Sequence, residues 1–404
     1  MKRKFHLKFL SISILLLIGV CMQVMYLISI HTEEELLSQP LSLEQHQLYF
    51  STEPSFKDMV NYFQVLAHAE GGKHAFSIII GADLSGNIDS HLLAHAVGDI
   101  MYTQEGFDGM KYCTNELGFA CAHTVVINGL LDRGIEVFDI VNSICEIVPG
   151  FSRGYNQCFH GFGHGVLAYA EYEVPDAIAL CQKVGTEKHN YREIDECVGG
   201  VIMEMRGGIH DVAMWEKNGK KYLDEKMPLS MCLAEYMPEA NKDYCLAYMT
   251  PFLFDATGAG DLPVVSDYAR AMILCEELRN DLDRSNCYGG FAKEFLSFIF
   301  GRDIRRIPTA TEENMRSVYA ACEEAPNEFG LAACVKYAVY TFYKGGVAPY
   351  TQPGKFCSIV DDRFKPDCFT TLHDRVLSDN IGPEQAGEFC AYLADVYKPL
   401  CTSV

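Results

Sequence analysis

The sequence predicts an all-α fold of disulfide-stapled αα-hairpin repeats, stacked as an α-solenoid or a ring. Three observations predict it. Cysteines come in pairs at short separations, apolar residues recur at helical spacing beside each pair, and the plan returns along most of the chain.

The cysteines carry the argument furthest. The 404-residue chain has 17 of them, and Cys21 stands apart inside an apolar stretch. The other 16, taken two by two from Cys113 to Cys401, lie 8, 13, 16, 13, 12, 12, 11 and 11 residues apart. First members of successive pairs recur every 32 to 51 residues, the period of a helical array. Sequence alone does not set connectivity. The regular short-then-long alternation nevertheless favours neighbour pairing over any other. Each such bond closes a short loop, worth ~3 kcal/mol in the chain-entropy account. Metal or cluster binding is the competing use of so many thiols. The absence of any Cys-x-x-Cys argues against zinc ribbons, haem attachment and thioredoxin-like sites.

One repeat shows the hairpin. SDYARAMILCEEL, residues 266–278, has helical apolar spacing with Ser266 placed as its N-cap. The polar stretch RNDLDRSN reads as the turn. CYGGFAKEFLSFIF, residues 287–300, is the second helix and ends at Gly301. A Cys275–Cys287 bond would pin the two helices at their turn. The same plan is seen in EVFDIVNSICEIV with QCFHGFGHGVLAYAEY, in VPDAIALCQKV with ECVGGVIMEMRGG, and in TEENMRSVYAACEEA with ACVKYAVYTFYKGG. Residues 108–134 form a similar unit, and SFKDMVNYFQVLAHAE with DSHLLAHAVGDIMYTQEG forms an opening hairpin without cysteines. Gly199, Gly200, Gly289 and Gly290 cost helix propensity and are expected where helices approach closely. Three regions result: a cytoplasmic tail and anchor at 1–31, a polar irregular stalk at 32–54, and a helical-repeat ectodomain at 55–404.

The anchor is residues 9–30, FLSISILLLIGVCMQVMYLISI, 22 positions without a charge. That length crosses a hydrocarbon core of ~30 Å as a helix. The basic Lys2, Arg3, Lys4 and Lys8 should hold the N-terminus in the cytoplasm and leave the bulk periplasmic or extracellular. A cleaved signal peptide would have a shorter apolar core and a small-residue cleavage site. A lipoprotein modification at Cys21 fits poorly with Val20 before it. All three readings place the rest outside the cytoplasm, where disulfides persist.

The formal charge is −21, and beyond those four basic residues the chain holds 29 basic against 54 acidic residues. Such a surface repels nucleic acid and anionic headgroups. It suits cations, neutral ligands or simple solubility. No Gly-x-Ser-x-Gly, P-loop, dinucleotide fingerprint or His-Glu-x-x-His occurs, so no reaction is assigned by motif.

The histidines are ordered. His123 and His160 stand two residues after Cys121 and Cys158, and His95 fills the same register after Leu93. Later repeats carry Gly199, Ala247, Gly289, Lys336 and Thr370 there. His91 and His95, with Asp99 one turn on, share a helix face, as do His160 and His164. Two imidazoles one turn apart can share a metal. His91, His95, Asp99, His123, His160 and His164 are therefore the predicted ligand set, for one or two ions of zinc, copper or iron. The bland alternative is a set of hydrogen-bonded core histidines in tight contacts, which Gly161, Gly163 and Gly165 would also serve. Glu204 and Glu294, each seven residues after a second cysteine, read as repeated structural carboxylates in helix-facing ion pairs, with a role as acid or base the lesser alternative. His210-Asp211 and His373-Asp374 are adjacent, so their side chains should diverge. Asn128 and Arg133 read as a polar border.

CFHGFGHG, followed by a paired cysteine and ECVGGVIME, resembles a membrane-anchored, cysteine-rich helical-repeat family of bacteria and archaea. Its mark is Cys-x-His-Gly-x-Gly-His followed by Cys-x-x-Gly. The resemblance covers about residues 90–300 and departs at Leu93, which stands in place of a cysteine. It implies no activity. Two functions remain: an extracytoplasmic metal-binding protein, and an envelope scaffold binding a protein or glycan without catalysis.

Overall fold

A computed structural model describes residues 41–398 apart from 85–87, 207–209, 261–262, 302, 344–348, 379–382 and 394–395. Among the described residues every regular element is helical. The chain divides into two units between Tyr49 and Phe50. In the first, a helix begins at Leu43 and runs to Phe50, opened by reciprocal bonds between Ser42 and Gln45. Part of the segment expected to be irregular stalk is therefore helical. The correction has a local cause, a Ser-x-x-Gln capping box.

The second unit holds α1 (Phe56–Glu70), α2 (Gly72–Gly81), α3 (Ser90–Glu105), α4 (Ala120–Arg133), α5 (Val137–Cys145), α6 (Phe151–Tyr169), α7 (Val174–Cys181) and α8 (Arg192–Met205). It continues with α9 (Lys242–Tyr248), α10 (Thr250–Ala256), α11 (Val265–Met272), α12 (Asp281–Ile299), α13 (Glu312–Glu323), α14 (Glu328–Phe342), α15 (Thr351–Ile359), α16 (Lys365–Ser378) and α17 (Pro383–Tyr392). Among the described residues seven disulfides join sequential cysteines: 113–121, 145–158, 181–197, 232–245, 275–287, 322–334 and 357–368. The expected Cys390–Cys401 bond involves a residue outside those described.

The second helices of the hairpins form a spine. α3 packs on α4, α4 on α6, α6 on α8, α8 on α9, α9 on α12, α12 on α14 and α14 on α16. First helices such as α5, α7 and α13 pack against this row. Burial holds it together: Phe159, Phe162, Phe291 and Phe295 are fully enclosed. Glycine sets the spacing where backbones nearly touch. A Cβ at Gly161 would run into the backbone of His123, and one at Gly200 into the carbonyl of His160.

The row is not strictly nearest-neighbour, as an open solenoid would be. After α12, Arg305 pairs with Asp303 at 2.6 Å and donates to the carbonyls of Ile79 (2.7 Å) and Ala82 (2.9 Å). That segment so reaches back to the opening helices.

Three local expectations are corrected. The opening unit contains an extra helix, α2, between the two anticipated. The stretch read as a turn before Cys287 is mostly helix, because Asn280 caps α12 by accepting from Asp283 N at 2.8 Å. Ser266 lies inside α11, whose first turn is instead closed by the Asp267 carboxylate on Val264 N. No helix among the described residues is long and apolar enough to cross a membrane. The anchor expected at 9–30 lies outside them.

Candidate metal centre

Three consecutive spine helices and the segment after the fourth bring six imidazoles together. His91 and His95 come from α3, His123 from α4, His160 and His164 from α6, and His210 follows α8. His95, His123 and His164 form a central triangle, with ring centroids 5.8, 6.0 and 6.4 Å apart. Each edge is capped by one further ring. His91 lies 4.9 Å from His95 and 5.7 Å from His123. His160 lies 5.5 Å from His123 and 5.1 Å from His164. His210 lies 6.0 Å from His95 and 6.1 Å from His164. His95, His123, His160 and His164 are buried, while His91 and His210 are partly exposed at the edge.

The partners outside the nest assign the ring protons. His91 Nδ1 lies 2.8 Å from the carbonyl of Leu117, which can only accept, so His91 donates there. Thr124 Oγ1 donates to the carbonyl of Ala120 at 3.1 Å and accepts from His95 Nδ1 at 2.7 Å. His164 Nδ1 and His210 Nδ1 both donate to Glu204 Oε2 at 3.0 Å. Four imidazoles are thereby held by Nδ1, which leaves Nε2 of each outside those bonds. Carboxylates, carbonyls and hydroxyls play this outer role around metal-bound histidines.

Inside the nest the ring nitrogens face one another or no polar group. His91 Nε2 and His95 Nε2 face each other at 3.2 Å. Two lone pairs at that distance repel unless a proton or cation lies between them. Both ring nitrogens of His123 and Nε2 of His164 are buried without a hydrogen-bond partner among the described residues. Each such orphan costs about 1–3 kcal/mol. Ligand atoms of His91, His95 and His123 lie within 4.8 Å of one another, as do those of His164, Glu204 and His210.

Electrostatics keep the inner rings neutral. Burial, and then the charge of His91 and the other rings, pushes His95 well below the ordinary imidazole value. Burial and His160 do the same to His123. Neutral imidazole is the form that binds metal. At the edge the balance reverses. Burial opposes a charge on His210, but the Glu204 carboxylate, and then Asp99, raise its pKa. Burial likewise opposes ionisation of Glu204, yet bonds from His164 and His210 hold its pKa well below the usual range. Tyr172 OH at 2.7 Å and His210 N at 3.1 Å complete the set of donors to that carboxylate.

The structure gathers His91, His95, His123, His160 and His164 and leaves Asp99 aside. The Asp99 side chain is exposed and its carboxylate accepts from Asn128 Nδ2 at 2.8 Å, so it acts on the nest only through its field. Asn128 thus borders the face, whereas Arg133 lies over the Phe107 ring. Glu204 sits in an ion pair, as expected, but its partners are His164 and His210 of the cluster. His210, given little weight on sequence grounds, is the sixth ring. Helical divergence from Asp211 does not apply, because His210 lies beyond the end of α8. His373 stays apart, against Asp374 at 3.1 Å.

Fold and site together define a disulfide-stapled helical protein with a buried histidine nest. Its staples mark an oxidising, extracytoplasmic setting, and the nest has the chemistry to hold a metal ion. No family model matches the chain, and no curated protein or solved structure matches it either.

Proposed function

We propose that this is a membrane-anchored extracytoplasmic protein that binds a transition metal, zinc, copper or iron, through the Nε2 atoms of its histidine nest. One observation carries the reading. Partners at Leu117, Thr124 and Glu204 occupy Nδ1 of four rings, while both nitrogens of His123 and Nε2 of His164 are buried with no hydrogen-bond partner among the described residues. A merely structural histidine core would spend both nitrogens of each ring on hydrogen bonds. The apolar stretch at 9–30 supplies the proposed anchor, and the acidic remainder favours cation capture.

Elemental analysis of the purified full chain tests the reading. Stoichiometric metal is expected, and it should fall sharply in His123→Ala, whose smaller side chain leaves Nδ1 partners elsewhere untouched. A protein free of metal after loading with each ion, and a His123→Ala variant indistinguishable from wild type, would return the chain to the scaffold reading.

A further inference from the structure

We propose that the nest is built for copper, with Met203 as a thioether ligand beside His160; the inference rests on the metal reading above. Met203 Sδ lies 3.4 Å from His160 Nε2. Two ligand atoms on one tetrahedral ion, with metal–nitrogen and metal–sulfur bonds of about 2.0 and 2.3 Å, stand about 3.5 Å apart. The 3.2 Å between His91 Nε2 and His95 Nε2 is a matching nitrogen–nitrogen span. His123, with neither nitrogen bonded, lies between the two pairs, 5.5 Å from His160 and 5.7 Å from His91 by ring centroid.

Register supports the assignment. Met203 is the sixth residue after Cys197, the place that His164 holds after Cys158 on the neighbouring helix. α6 and α8 pack together, so the thioether continues the line of imidazoles. Methionine often fills irregular core space and meets aromatic rings at their edges. Here the sulfur meets a ring nitrogen. Soft thioether with imidazole selects copper(I), whereas zinc takes sulfur as thiolate.

The test compares wild type with Met203→Leu, a swap of similar volume, in the full chain held in detergent. Each protein is loaded anaerobically with copper(I) or aerobically with zinc(II), and affinity is read by chelator competition. The substitution should weaken copper(I) binding by about tenfold or more and leave zinc(II) unchanged, a loss in the range expected when a supporting group of a metal site is removed. X-ray absorption of the copper-loaded wild type should show one sulfur neighbour that vanishes in the variant. Metal bound with no sulfur neighbour, or equal effects of Met203→Leu on both ions, overturns the copper inference and leaves the metal reading standing. Failure of wild type to bind any ion overturns both.

Discussion

The two halves of the spine share a scaffold and differ in chemistry. α4, α6 and α8 are stapled in the same manner as α9, α12, α14 and α16. Two carboxylates in identical register show the divergence. Glu204 is completely enclosed and takes bonds from His164, His210 and Tyr172. Glu294 is partly exposed and pairs with its neighbour Lys293 at 3.0 Å, while that lysine lies over the ring of Tyr248. Where α4 and α6 place His123 and His160, α12 has Gly289, which leaves room for the ring of Tyr337. A repeat supplies a position. The helices packed beside that position decide whether it becomes a carboxylate that orients buried rings or part of an ordinary surface pair.

Removing staples should separate scaffold from site most strongly. Cys145→Ser with Cys158→Ser, and Cys322→Ser with Cys334→Ser, should each cost ~3 kcal/mol in urea denaturation. Only the first pair should also lower bound metal, since Cys158 lies two residues before His160. Equal metal loss from both pairs would show that the halves are not separable.

Arg305 links the regions, and its pair with Asp303 is mostly buried. Arg305→Met should cost about 1.5–3 kcal/mol, the range for hydrogen bonds to a charged group, because Arg306 at 3.6 Å stays as the second partner of that carboxylate. Burial works against the Asp303 charge, but Arg305 overcomes it and lowers the Asp303 pKa. A depressed folded pKa stabilises above the unfolded value, about 3.9, and that contribution fades as pH falls through the folded one. The gap between wild type and Arg305→Met should therefore be full at neutral pH and shrink below about pH 4. A gap that widens in acid would remove the ion pair from the account.

Glu204→Gln should weaken metal binding by about 10–100-fold, because it exchanges the shared ionised acceptor of two histidines for a neutral amide. Glu294→Gln should leave metal binding at its wild-type level in the same titration. The smallest effect belongs to Lys336→His, which puts an imidazole in the histidine register of α14. Stability should move within about 0.5 kcal/mol, as for an exposed substitution, and metal content should not rise. A gain would mean that register alone makes a ligand.

The scaffold was legible because its determinants are local. Paired thiols at fixed spacing, apolar periodicity and four-residue histidine spacing act within one hairpin, and five of the six rings were found that way. The misses have physical causes too. Asn280 and the Ser42–Gln45 pair changed helix boundaries by side-chain capping, which competes with turn-like composition. Asp99 satisfied helical periodicity but its carboxylate is taken up by Asn128 at the rim, away from the rings.

By itself the sequence determined the paired-helix plan, the seven described staples and which helices carry five of the six imidazoles, since those features depend on neighbours in the chain. Tertiary structure alone decided that His210 and Met203 join the nest, that Glu204 orients two of its rings, and that Arg305 returns to the opening helices. Those contacts join residues from helices packed side by side, and side-by-side packing brings together residues whose separation along the chain carries no periodic signal.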